Sequence, residues 1–105
     1  MNWTFLVMAL AIPPGGQPIV TAAIADAQQR FGVQAQATRV ERVTWPDMSL
    51  GCPAKGMHYP QRTVPGWRIV LSAGARTFEY HAGGTGDPVY CPAGRATPAL
   101  PDTLT

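Results

Sequence analysis

Cysteine and histidine are the residues of this chain whose chemistry reaches beyond packing. Cys52, His58, His81 and Cys91 make up a Cys₂His₂ set, a ligand combination that suits zinc. Structural zinc sites usually present their ligands as closely spaced pairs such as C-x₂₋₄-C, and no such pair occurs here. Nucleophilic catalysis is no better supplied. Ser49, with His58 or His81 and Asp47 or Asp87, offers the residue types of a triad. Yet there is no G-x-S-x-G elbow and no evident pair of oxyanion donors. Cys52 lacks a C-x-x-C partner, and Pro53 beside it suits a structural cysteine. Asp47 and Glu79 are available as paired carboxylates, but nothing in the spacing indicates a cleft between them. "HAGGTGDP" resembles a phosphate cradle only in its glycines, since it lacks the Lys-Ser/Thr of a P-loop and precedes no helix. Neither enzyme activity nor a cofactor or metal is expected. The metal-binding alternative rests on Cys52, His58, His81 and Cys91.

Binding has positive features. "TWPDMSLGCPAKGMHYPQ", residues 44–61, mixes three prolines and two glycines with Trp45, Cys52, His58 and Tyr59. No helix or strand of ordinary length accommodates that mixture, so the segment reads as a loop. Aromatic side chains with a polar handle suit interfaces, and Trp45, Tyr59, Trp67, Tyr80, His58 and His81 gather in the loop and the strands beside it. Trp45 and Trp67 are assigned to the core. His58 and Tyr59, mid-loop, are the preferred contact residues, with Lys55, Asp47 and His81 as further candidates. Asp47 also has a structural use, an Asx turn to the backbone N–H of Ser49.

The chain has 105 residues, enough for a single domain with one core. Hydrophobic residues make up 46% and charged residues only 13%, about half the usual share. The net charge of +2 is carried by seven arginines and Lys55 without any basic run. No footprint for nucleic acid stands out, and nothing points to membrane-surface steering. Two cysteines in a small domain read as a bridge if the compartment is oxidising, and otherwise as two buried thiols. A bridge closing so long a loop stabilises a fold by about 4 kcal/mol on the chain-entropy view.

Elements must position these residues. "WTFLVMALAI", residues 3–12, is apolar and includes an A-x-A pattern, but it is too short to span a bilayer. It reads as a leader remnant, an interfacial anchor or a first strand. Pro18 suits the first turn of a helix over residues 18–31. There Ile19, Ala23, Ile24, Ala27 and Phe31 recur at helical spacing, and Gly32 supplies the stop. Residues 36–45 read as a strand. The Val40-to-Val43 spacing breaks strict alternation and predicts a bulge. "GWRIVL" and "RTFEYH" read as a strand pair around a glycine-containing turn, and Val89–Cys91 as a last short strand. Tyr80 is expected to point inward and His81 outward. Residues 92–105 hold three prolines and little to bury, which predicts a loose tail.

"VTWPDMSLGCPAKGMHYPQ", "VPGWRIVLSAGARTFEYHAG" and "VYC" together resemble a family of small uncharacterised bacterial proteins. That family carries a W-P-D-x-S-L-G-C-P segment, a P-G-x-R-I-x-L strand, a Y-x-Y/E-Y-H segment and a final Cys. Many of its members are secreted or lipid-anchored by expectation. The resemblance implies export and a disulfide from Cys52 to Cys91, and it implies no activity.

The expected fold is α+β, with one N-terminal helix on a three- to four-stranded antiparallel sheet and a long disulfide-tethered loop. Residues 1–12 form a leader remnant or first strand, 13–91 a single domain and 92–105 the tail. The expected role is a non-enzymatic, extracytoplasmic binding or inhibitor-like module. It would present residues 46–65 to a protein or cell-envelope partner. A structural domain that self-associates through a sheet edge is the second alternative.

Overall fold

The computed structural model describes residues 10–101. The readings of residues 1–12 lie, through residue 9, outside the described residues. Of the remainder, Ile12 packs against the core. Helix α1 spans Gln17–Phe31, with Pro18 in its first turn, where a missing N–H is not missed. Arg30 in its last turn complements the negative end of the helix dipole. Gly32 ends it in the left-handed conformation (φ 66°), donating its N–H to the Gln28 carbonyl at 2.9 Å.

Among the described residues four strands follow: β1 (Gln36–Trp45), β2 (Val64–Ala73), β3 (Arg76–Gly83) and β4 (Val89–Cys91). They pair in chain order, every neighbour antiparallel, into one sheet. The α+β expectation of one helix on an antiparallel sheet holds. The helix lies on the sheet face formed by Val40, Trp67, Ile69, Leu71, Phe78, Tyr80 and Ala82. Its deeply buried residues are Val20, Ala23 and Ala27, and the two alanines allow a close approach. Ile19, Ile24 and Phe31, which share the helical spacing, are half-buried at the flanks of this core.

The predicted bulge between Val40 and Val43 does not occur; the register slips between Ala37 and Arg39. Val40 and Val43 lie on opposite faces of β1, and each face is covered. Val40 is buried under the helix, and Val43 is half-buried on the far side. An odd spacing of apolar residues therefore needs no irregularity when a sheet buries both faces.

The segment after Cys91 is not loose through residue 101. Thr97 donates its N–H to the Gly51 carbonyl at 2.8 Å, and Leu100 donates to the Thr44 carbonyl at 2.9 Å. Its prolines have no N–H, but Thr97 and Leu100 between them keep theirs and use them on the loop and on β1. Among the described residues no helix is long and apolar enough to cross a membrane.

Candidate functional site

The loop between β1 and β2 lies over the sheet face that the helix leaves bare. A disulfide joins Cys52 to Cys91 of β4, with the two Cα atoms 5.8 Å apart. Trp45, fully buried at the end of β1, stacks on His81 with ring centroids 4.3 Å apart. Its indole N–H crosses Gly66 to donate to the Ala82 carbonyl at 3.0 Å. Gly51 lies against the same indole with φ 68°. A Cβ there would stand 2.6 Å from Trp45 Cε3 and 2.9 Å from the Thr97 carbonyl oxygen. Only glycine fits both that space and that backbone conformation.

His81 is fully buried beneath this base. Its Nδ1 lies 2.6 Å from the Leu50 carbonyl oxygen, and its Nε2 meets the Glu79 carboxylate. A carbonyl oxygen only accepts, so Nδ1 donates to Leu50, and the Nε2–carboxylate contact needs a proton of its own. The expectation that His81 points outward is therefore corrected. Tyr80 and His81 do take opposite faces, but the loop roofs the second face. Tyr80 is inward as expected, and its hydroxyl donates to Asp26 at 2.7 Å.

From His81 a ladder of charges runs across the strands. Arg68 Nε and Nη2 both reach the Glu79 carboxylate at 3.0 Å, and Nη1 reaches Glu41 at 3.0 Å. Arg39 Nε adds a contact to Glu41 at 3.3 Å. Burial alone would raise the pKa of Glu79, but hydrogen bonds from His81 and Arg68 outweigh it and hold the carboxyl below its usual range. On the helix, the Arg30 hydrogen bond lowers Asp26 in the same direction. Burial opposes it and the Tyr80 hydroxyl adds to it.

Beyond the tied base, residues Lys55, Gly56, Met57 and His58 are exposed, and Met57 keeps 61% of its surface open. Tyr59 folds back, its hydroxyl accepting the Ala54 N–H at 3.1 Å. Met57 N–H donates to Ala54, Met48 N–H donates to Pro60, and Arg95 donates to the Cys52 and Pro53 carbonyls. Asp47 forms the expected Asx turn with the Ser49 N–H at 2.8 Å. The Ser49 hydroxyl first, and this backbone hydrogen bond second, hold the Asp47 carboxyl below its usual range.

The candidate residues thus divide. Lys55 and His58 share the exposed tip, Tyr59 and Asp47 shape the loop, and His81 is roofed over. Cys52, His58, His81 and Cys91 are not brought together as ligands. The two thiols are bonded to each other, and among the described residues no three His, Cys, Asp or Glu side chains are grouped to hold an ion. Sequence reasoning passed over Met57, Arg68, Glu41 and Arg95. A signal for the ladder was present in the i, i+2 pairs Arg39/Glu41 and Glu79/His81, each of which shares one strand face.

Residues 20–91, from the helix through the cysteine that closes the loop, match the family described as Domain of unknown function (DUF8738). The match covers more than half of the chain and agrees with the resemblance to an uncharacterised family. No curated protein and no solved structure matches the chain.

Proposed function

The chain belongs to the DUF8738 family, and from its geometry we propose that it is a non-enzymatic binding module that works outside the cytoplasm. It presents the tip of the β1–β2 loop to a protein or cell-envelope partner. The observation that carries this reading is the contrast between base and tip. Residues 45–53 are fixed by a disulfide, a buried indole and a buried imidazole, whereas Lys55, Met57 and His58 stand in solvent. A loop held in place before contact loses less conformational entropy on association. An exposed methionine is an adaptable apolar contact. The disulfide supports an oxidising compartment.

The test replaces Lys55, Met57 and His58 together by Ala, Ser and Ala and measures retention of native envelope proteins on immobilised protein. Loss of retention with an unchanged melting temperature supports the reading. Undiminished retention overturns it.

A further inference from the structure

The outer edge of β1 borders a groove of about 1040 Å³ that the loop does not use. Its lining combines Arg39, Glu41, Arg42, Val43 and Thr44 of β1 with Arg68 and Glu79 of the neighbouring strands and the segment Ala96–Pro101. Among the described residues β1 is an edge strand, with β2 as its one strand neighbour. Thr44 pairs with Pro65, which has no N–H, so this is a pair without exchanged hydrogen bonds. By the alternation of an antiparallel ladder, Arg42 opposite Trp67 and Val40 opposite Ile69 likewise turn their N–H and C=O groups away from β2. The Leu100 N–H already takes the Thr44 carbonyl there, so this edge accepts added backbone. Among the described residues nothing takes the groups of Val40 and Arg42.

We propose that this groove is a docking slot for an extended acidic peptide segment, which adds beside β1 as a further strand. Backbone pairing supplies the attraction, as wherever a peptide augments a sheet edge. Charge supplies the preference. The Arg42 guanidinium lies 5.3 Å above the Trp67 ring and has no carboxylate partner among the described residues. A peptide residue opposite Arg42 places its side chain on that same face, where a carboxylate completes the pair. On the opposite face Glu41 is already shared by Arg39 and Arg68, and it disfavours an acid directly across from it. The fitting segment therefore alternates acidic with neutral residues. This site is separate from the loop tip, so either reading survives the failure of the other.

The probe is a fluorescein-labelled decapeptide of alternating Thr and Glu, titrated with the whole protein. Saturable binding, slowed amide exchange at Val40 and Arg42, and an affinity loss of about tenfold or more in Arg42→Glu are expected. Arg42→Lys, which keeps the charge, retains binding and guards against a folding artefact. Several results overturn the proposal: no saturation, equal binding of the peptide N-methylated at alternate residues, or equal binding of a Thr-Lys decapeptide. So does a dimer in which Val40 and Arg42 amides are protected without peptide, because a second copy then fills the slot. If shortening the chain after Pro101 is required before the probe binds, the protein's own end is the occupant and the proposal fails.

Discussion

Trp45 and His81 stack at 4.3 Å and 28° from parallel, and Gly51 lies against the same indole. The end of β1, the middle of β3 and the base of the loop are thereby fastened through one aromatic pair. Gly51→Ala forces a methyl group into Trp45 and also places an L-residue in the left-handed region. The expected cost is about 3 kcal/mol, read as a fall in the urea midpoint without a change in slope. An unchanged midpoint contradicts the packing described here.

Trp45→Phe keeps an aromatic ring over His81 but removes the donor to the Ala82 carbonyl. Leaving that buried carbonyl unpaired costs about 1–3 kcal/mol, again read from the denaturation midpoint.

Reducing the disulfide, or replacing Cys52 and Cys91 together by Ser, is expected to cost about 4 kcal/mol on the chain-entropy view. Thermal unfolding with and without reductant checks this. The loss should be greatest in amide protection over residues 48–60, where the bridge holds the loop base.

Acid should weaken the fold through Asp26 and Glu79. Both carboxyls are held below their ordinary values of 3.8 and 4.5, Asp26 by Arg30 first and Glu79 by His81 and Arg68 against burial. A lowered native pKa means that the stabilisation is complete above the ordinary value and is lost as pH falls through the lowered one. Urea midpoints measured from pH 6 to pH 2 should decline below about 4.5, and less steeply in Asp26→Asn or Glu79→Gln.

Exposed Met57 and His58 have no part in the core. Met57→Ser and His58→Ala should each shift stability by no more than about 0.5 kcal/mol. A larger shift by calorimetry would show that the tip packs rather than projects.

Helix, strands and their order were legible because each carries a local signal: Pro18 and Gly32 bracket the helix, and Trp67, Ile69 and Leu71 alternate along β2. The Asp47 turn was legible for the same reason. His81 was not, because strand alternation reports which face a residue takes and says nothing of what later covers that face. The ordering of residues 92–101 was hidden likewise: it depends on two N–H groups, of Thr97 and Leu100, meeting carbonyls distant in the chain. The Val40–Val43 spacing misled because a sheet covered on both sides erases the contrast that alternation needs.

The bridge from Cys52 to Cys91 encloses Lys55 and Arg62, the two basic residues of the exposed loop, inside a covalent ring. Hydrolysis after either one opens the ring without releasing a fragment. A molecule nicked there remains a single piece, gaining one water in mass. Its severed ends stay anchored on the same sheet, so exposure to trypsin-like proteases need not dismantle it.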